Sequence, residues 1–236
     1  MALILNIETG TDICSVALAE NGRIISMRES TEGRNHAQYL AVYIEEIFRE
    51  MGRRTSELDA VAVGMGPGSY TGLRIGVSTA KGLCYALGIP LIAVSSLKAM
   101  AVAALQDFDA GILPIDDIEG TYLCPMIDAR RMEVYTQVFD AALNEITEVE
   151  AKIIDGDSFN TFIEEKPFLI FGSGAGKCEG VINGQNLILV NVAPSARGMV
   201  ALSEKAYAES DFVDIAYFEP FYLKDFVVTT TPKKIF

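Results

Sequence analysis

Histidine is almost absent from this sequence of 236 residues, which contains only His36. A site that needs two or more histidines is therefore impossible, and this excludes multi-histidine metal centres and HExxH metalloproteases. The cysteines form no CxxC pair, so the sequence has no zinc or redox motif. We expect these thiols to be buried and reduced, as is usual in a cytosolic protein. They are Cys14, Cys84, Cys124 and Cys178.

Positive charge and long apolar runs are also scarce. The 19 Lys and Arg residues face 32 Asp and Glu residues, which gives a net charge of -13. Neutralising phosphates requires clustered positive charge, so we expect no nucleic-acid binding by the chain alone. No apolar stretch approaches the roughly 18 residues of a membrane span, and the opening strand is too short for a signal sequence. We therefore predict a cytoplasmic protein without membrane contact.

Half of the residues are hydrophobic, and their pattern predicts two consecutive α/β units. In residues 1–106, three strands joined by short turns are followed by a helix, a strand, a helix, a strand and a helix. This is the element order of a ribonuclease-H-like domain. The predicted strands are 3–7, 13–19, 23–28, 58–63 and 89–94, and the predicted helices are 36–51, 73–87 and 95–105.

The acidic stretch 106–120, which is punctuated by glycine and proline, marks the predicted domain boundary. A smaller unit, 107–193, then repeats the first pattern in a weaker form. A further helix is predicted at 194–210, and residues 229–236 are expected to form a loose tail. Within the smaller unit, strands are predicted at 122–127, 133–139, 145–151, 168–171 and 187–190, with a short helix at 158–164.

The strongest motif is the glycine-rich stretch 64–76, which lies between a buried strand and a helix. Four glycines and a proline in 64–72 permit positive φ angles and the close approach of another backbone. Backbone N–H groups at the start of the helix offer an anion site. Two interpretations are therefore open, a ligand loop and a tightly packed turn. A Walker A loop is excluded, because Lys81 lies far along the helix.

Two weaker candidates concern nucleotide binding. Glu8 ends the first strand, where a phosphotransferase holds magnesium or orients water, although an isolated carboxylate is more often solvated or bonded to a turn. The stretch 172–177 resembles a Walker A loop but is one residue short, and Cys178 stands where Ser or Thr would bind magnesium. Its glycines Gly172 and Gly174 are explained more simply by a turn.

Two polar features have no obvious chemical partners. His36 begins the first helix with no ligand at metal-binding spacing, so we expect an exposed position there. Asp128, Arg130 and Arg131 form a charged hairpin tip, which is either a contact for a partner or a solvated turn.

Five segments together resemble one protein family. They are LILNIET at 3–9, SVAL at 15–18, GPGSYTGLRIG at 66–76, DARRMEVY at 128–135 and EPFYLK at 219–224. The sequence is similar to the TsaB (YeaZ) family of bacterial tRNA threonylcarbamoyladenosine (t6A) biosynthesis proteins. The resemblance implies an α/β ASKHA fold of two tandem ribonuclease-H-like subdomains, with a C-terminal helix at about 194–236 that packs back on the first. Its motif loop comprises Gly66, Pro67, Gly68, Ser69, Tyr70, Thr71, Gly72 and Arg74.

The resemblance also implies a role without catalysis by this chain. TsaB-type proteins bind and activate TsaD, and the ATPase TsaE joins them. The complex transfers a threonylcarbamoyl group to the adenosine beside the anticodon of ANN-decoding tRNAs, so tRNA is reached through the other subunits. TsaD-type proteins hold a metal with two histidines, and a chain with His36 alone suits a non-catalytic subunit. We expect no catalytic residue, metal or cofactor in the chain alone, and place any ATP or ADP at the interface of the complex.

The helices predicted at 36–51 and 73–87 supply the predicted partner surface. They carry aromatic residues, which are favoured at interfaces, and small residues that permit close helix approach. We predict a four-helix arrangement with the equivalent helices of TsaD, and a homodimer of the same geometry when TsaD is absent. The predicted interface residues are Tyr39, Tyr43, Leu73, Gly76, Val77, Ala80 and Tyr85.

Two enzymatic alternatives stay open. One is an active small-molecule kinase of the ASKHA superfamily, for which Glu8 and the stretch 172–177 are the only candidate phosphate-facing features. The other, with less support, is a glycoprotease-like peptidase, which the missing second histidine disfavours.

Overall fold

The computed structural model of the protein describes residues 2–30 and 35–224, in which two five-stranded sheets follow one another along the chain. In the first sheet, an antiparallel meander is extended by two strands that run parallel to the first strand. Its strands are β1 (Leu3–Glu8), β2 (Cys14–Glu20), β3 (Arg23–Ser30), β4 (Ala60–Gly66) and β5 (Leu91–Ser95), in the order β3-β2-β1-β4-β5. The helices of this unit are α1 (His36–Met51), α2 (Tyr70–Leu87) and α3 (Ser96–Asp109).

Strand β1 is buried along its whole length, because both faces of the first sheet are covered. Leu5 and Ile7 belong to the core beneath α1 and α2, whereas Ile4 belongs to the core on the opposite face. Successive side chains of a strand point to opposite faces, so a run of apolar residues feeds two cores at once. This explains why apolar residues occupy the successive positions Leu3, Ile4 and Leu5 rather than alternating with polar residues.

The ends of α1 and α2 are set by capping residues. The Oγ atom of Ser69 accepts a hydrogen bond from the N–H of Gly72, which satisfies a free donor in the first turn of α2. Gly52 and Gly88 directly follow α1 and α2 and cap them with positive φ angles. The predicted bounds of α1 are confirmed, whereas α2 begins at Tyr70, earlier than predicted, because Ser69 caps it.

The second sheet repeats the topology of the first. Its order is β10-β9-β6-β7-β8, so a meander is again extended by parallel strands. The elements are β6 (Tyr122–Asp128), β7 (Glu133–Thr136), β8 (Glu150–Ile153), α4 (Asn160–Glu165), β9 (Phe168–Phe171) and β10 (Leu187–Leu189).

Strands β7 and β8 of the second sheet are several residues shorter than predicted. Strand β7 ends at Thr136 instead of residue 139, and β8 begins at Glu150 instead of residue 145. The carboxylate of Asp140 accepts hydrogen bonds from the backbone and side-chain amides of Asn144. This turn takes the chain out of the ladder between the two strands.

Helix α3 connects the two units by packing on both. Ala99 belongs to a core of the first sheet, and Leu97 and Met100 belong to a core of the second. The helix ends at Asp109, so the boundary predicted after residue 106 falls in its last turn. The two sheets therefore share one helix.

The chain returns to the first sheet after β10. A 3-10 turn, Ala196–Met199, leads into α5 (Val200–Glu209), and both contribute to the core that contains Ile4. The prediction of a helix at about 194–236 was wrong in length, since α5 ends where Ser210 adopts a positive φ angle. Residues 211–224 follow, and Val213 pairs with Leu91 at the edge of β5. The tail predicted at 229–236 lies outside the described residues.

Two predictions from composition concern the cysteines and the membrane. All four cysteines are free and buried, as expected. Burial raises the pKa of Cys14 and Cys84 to about 11 and that of Cys124 to about 12, so little reactive thiolate forms at neutral pH. In the ranges 2–30 and 35–224, none of the helices combines the length and apolar character needed to cross a bilayer.

Candidate functional site

The glycine-rich loop packs against the turn between β1 and β2. The N–H of Ser69 donates to the carbonyl oxygen of Gly10 at 2.6 Å, and Oγ1 of Thr9 donates to the carbonyl oxygen of Gly72 at 2.9 Å. A Cβ atom on Gly68 would overlap the carbonyl oxygen of Gly10, and one on Gly72 would overlap that of Thr9, both well inside 3.0 Å. The glycines are thus needed for close approach of two backbone turns, which favours the packing interpretation of this motif.

Glu8 lies in the core beside this loop rather than in solvent. Its side chain is 1% exposed, and Oε1 accepts from the N–H of Gly10 at 2.6 Å while Oε2 accepts from Oγ of Ser96 at 2.8 Å. The solvated alternative was therefore wrong, and the turn-bonded alternative is confirmed. Burial raises the pKa of Glu8 above its usual value of 4.5, and the hydrogen bonds from Gly10 and Ser96 oppose that shift.

The surroundings of Glu8 offer little support for a magnesium site. Both carboxylate oxygens already accept hydrogen bonds from protein donors. Among the residues that the structure describes, no group of three or more His, Cys, Asp or Glu side chains is arranged to hold a metal ion. The carboxylate connects β1 to the start of α3 through its hydrogen bond with Ser96.

We expect Glu8→Gln to flatten the pH dependence of stability. Because the folded-state pKa of Glu8 is raised, its contribution is complete below the unfolded pKa and is lost as pH rises through the folded pKa. The free energy of unfolding of the parent protein should therefore fall as pH rises from about 4.5, and Glu8→Gln should not show this fall. Urea denaturation at a series of pH values measures the effect. Glu45→Gln, on the exposed side of α1, is the control, and an unchanged slope in Glu8→Gln would contradict the prediction.

The stretch 172–177 is occupied by contacts within the second unit. Nζ of Lys177 donates to Oδ1 of Asp128 at 2.7 Å and to the carbonyl oxygen of Arg131 at 2.9 Å. The N–H of Gly174 donates to the carbonyl oxygen of Met126, and a Cβ on Gly172 would crowd the same carbonyl group. This geometry favours the turn interpretation of Gly172 and Gly174 over a nucleotide-facing loop.

His36 is buried, so the expectation of an exposed histidine was wrong. Its Nε2 atom lies 2.7 Å from the carbonyl oxygen of Thr11. A carbonyl oxygen only accepts, so Nε2 must carry the proton. The ring therefore fastens the first residue of α1 to the turn between β1 and β2, in the same region as the glycine-rich loop.

The predicted partner surface is only partly exposed. Leu73, Gly76, Val77 and Ala80 are buried against the protein's own sheet, so their prediction as partner-facing residues was wrong. They form the apolar stripe of α2, and the stripe of an amphipathic helix faces its own core. Tyr85, in contrast, is 85% exposed.

Tyr39 and Tyr43 lie at the edge of this surface. Both are half-buried on α1, and their rings stack with centroids 5.6 Å apart. The outward face of α2 is instead made of small or polar residues that carry no hydropathy signal. Its exposed members are Thr71, Arg74, Ser78, Gly82, Tyr85 and Ala86.

A groove of about 500 Å³ runs along this outward face between α1 and α2. Ala37 of α1 lines one side, and Ile75, Ser78 and Thr79 of α2 line the other. Among the described residues that line it, Arg74 carries the only charge, and its guanidinium group donates to the hydroxyl of Tyr70 at 3.1 Å. Several of the side chains that line the groove are small, which leaves room for a partner helix to approach closely.

Residues 211–224 cross the molecule beside this groove, a feature that sequence reasoning missed. The N–H of Phe221 donates to the carbonyl oxygen of Met65 at 2.8 Å, and Tyr222 packs on Tyr70 with ring centroids 4.8 Å apart. Lys224 then forms an ion pair with Glu133 on β7. The segment thus joins the start of α2 to the second sheet.

Two sheets of identical topology that share a helix define the class: this is an ASKHA protein of two ribonuclease-H-like subdomains, whose glycine loops pack on its own backbone. A family model for TsaD, tRNA N6-adenosine threonylcarbamoyltransferase, matches residues 26–162. The chain is 30% identical to the tRNA threonylcarbamoyladenosine biosynthesis protein TsaB of Escherichia coli (strain K12), over 94% of each chain. It belongs to the TsaB (YeaZ) family, as its motifs indicated.

Solved structures agree with this assignment. The structure of YeaZ from Pseudomonas aeruginosa superposes with a TM-score of 0.79 at 28% identity, covering 94% of this chain and all of that one. A tRNA N6-adenosine threonylcarbamoyltransferase of Solidesulfovibrio magneticus is 31% identical over 64% of this chain but only 45% of its own length. Family membership supports a role in t6A biosynthesis, and the shared region relates this chain to TsaD proteins.

Proposed function

We propose that this chain is the non-catalytic subunit that binds and activates TsaD in the t6A synthesis complex. The observation that carries the proposal is the groove on the outward face of α2, which is lined in part by small side chains such as Ala37 and Ser78. The motif loop, by contrast, is filled by the chain's own backbone at Gly10 and Thr9. The glycine-rich loop therefore supports the fold, and we assign partner binding to the exposed faces of α1 and α2.

The relationship to TsaD supports pairing of α1 and α2 with the related helices of TsaD. The TsaD family model spans residues 26–162, which include α1 and α2. A partner with related helices presents a related surface, so the two pairs of helices can form a four-helix arrangement. Ser78 and Gly82 lie at the exposed centre of α2, where small side chains let a second helix approach closely.

The remaining partners follow from the same arrangement. When TsaD is absent, we propose that the same face pairs with a second copy of the chain. TsaE joins the assembled complex, and ATP or ADP, if bound, lies at the interface and not in this chain alone. The net charge of -13 leaves most tRNA phosphate contacts to the other subunits, and the reaction takes place in the cytoplasm.

Reconstitution with the source bacterium's own TsaD tests the proposal. The purified chain and TsaD should co-elute from a sizing column, and TsaD should transfer the threonylcarbamoyl group to tRNA only when both are present. Depletion of the chain in cells should lower t6A in digested tRNA, as measured by mass analysis of nucleosides. Separate elution together with unchanged t6A would defeat the proposal.

A further inference from the structure

The turn between β6 and β7 presents two adjacent arginines in an unusual backbone conformation. Arg130 and Arg131 have φ angles of 72° and 49°, a region that residues other than glycine and asparagine seldom adopt. Both side chains are exposed. Within the ranges 2–30 and 35–224, neither guanidinium group makes a hydrogen bond or an ion pair. The two forks of donors are therefore available to a ligand.

The carboxylates beside these arginines are already neutralised. Asp128 pairs with Lys177 at 2.7 Å, and Glu133 pairs with Lys224. Four positive side chains thus meet two carboxylates, which leaves an excess of two positive charges at this turn. This local excess is opposite in sign to the net charge of -13.

We propose that this basic turn, formed by Arg130 and Arg131 with Lys177 and Lys224 behind them, binds backbone phosphates of tRNA within the assembled complex. The inference rests on the proposed function, because the complex supplies the remaining contacts. Guanidinium groups bind phosphate oxygens through two parallel hydrogen bonds. Two adjacent exposed arginines suit the successive phosphates of an RNA strand, and phosphate contacts of this kind orient the nucleic acid without reading its sequence.

The overall charge explains why this site acts only in the complex. The isolated chain repels a polyanion at long range, so we expect no tRNA binding by it alone. Once TsaD holds tRNA nearby, the binding energy of TsaD has already offset this electrostatic repulsion. The basic turn then adds phosphate contacts and fixes the orientation of the tRNA.

Salt-dependent tRNA binding by the full complex tests the inference. Arg130→Asn with Arg131→Gly removes both charges and supplies residues that tolerate the left-handed backbone. The matched control, Arg23→Ala with Arg54→Ala, removes the same charge from exposed positions on the first unit. We expect the first variant to weaken tRNA binding roughly tenfold or more near 0.15 M salt, and to reduce the slope of log K against log salt by about one to two. The control should retain both values.

Each outcome of this experiment has one meaning. Equal affinities and slopes for the two double variants, with complex formation intact, would overturn the basic-turn site and leave the proposed function standing. Failure of the parent chain to form a complex with TsaD would overturn both. Loss of ADP binding with unchanged tRNA binding would show that the phosphate ligand is a nucleotide, and would also overturn the tRNA site. If the first variant unfolds, Arg130→Gln with Arg131→Gln removes the charges at nearly unchanged side-chain length.

Discussion

Gly72→Ala should destabilise the fold by roughly 3 kcal/mol, at the upper end of what overpacking costs. The added methyl group would overlap the carbonyl oxygen of Thr9, and neither partner is the flexible end of a side chain. Relief requires that the turn after β1 or the first turn of α2 move, which breaks the hydrogen bond from Thr9 to Gly72. The free energy of unfolding in urea measures the effect.

The same helix offers a matched control. Gly82 lies on the exposed side of α2, and a Cβ atom there meets nothing within 4 Å. Gly82→Ala should therefore stabilise the protein by about 0.5 to 1 kcal/mol through helix propensity alone. Opposite signs for the two substitutions are expected. Similar unfolding energies for both variants would contradict the assignment of the motif loop to close backbone packing.

Ser78→Arg should abolish the interaction with TsaD without unfolding the chain. Ser78 is exposed at the middle of α2 and lines the groove between α1 and α2. A long charged side chain there would hold a second helix away and bury an unpaired charge. We expect affinity to fall at least about a hundredfold, which corresponds to roughly 2.7 kcal/mol, and the homodimer to dissociate as well.

Ala208→Arg is the control for this substitution. Ala208 is exposed on α5, which covers the face of the first sheet opposite to α1 and α2. The Ala208→Arg substitution adds the same charge to a helix that is not part of the proposed interface. Titration calorimetry with TsaD should give the parent affinity for Ala208→Arg. Retained affinity in Ser78→Arg would remove α2 from the proposed interface.

The sequence predicted most of the first unit because its signals are local. Helix α1 was placed at both ends, since an apolar stripe defines its length and Gly52 ends it in a left-handed conformation. Strand β8 was placed five residues too early, because the turn made by Asp140 and Asn144 draws the chain out of the sheet. A hydropathy pattern does not reveal a hydrogen bond of this kind.

The candidate site was harder to predict, for a physical reason. The environments of Glu8 and His36 depend on Ser96 and Thr11, which are 88 and 25 residues away in the chain. No periodicity within one element reveals contacts of that range. The partner surface posed the opposite problem: the apolar stripe of α2 marked its buried side, while small exposed residues such as Ser78 gave no signal.

Because the two subdomains share α3, the folding of one depends on the other. Ala99 and Met100, neighbours in the chain, serve separate cores on either side of the helix. Removing either subdomain would expose one apolar side of α3 to solvent, and the remaining subdomain needs this helix to stay folded. We therefore expect that neither subdomain folds stably when it is separated from the other.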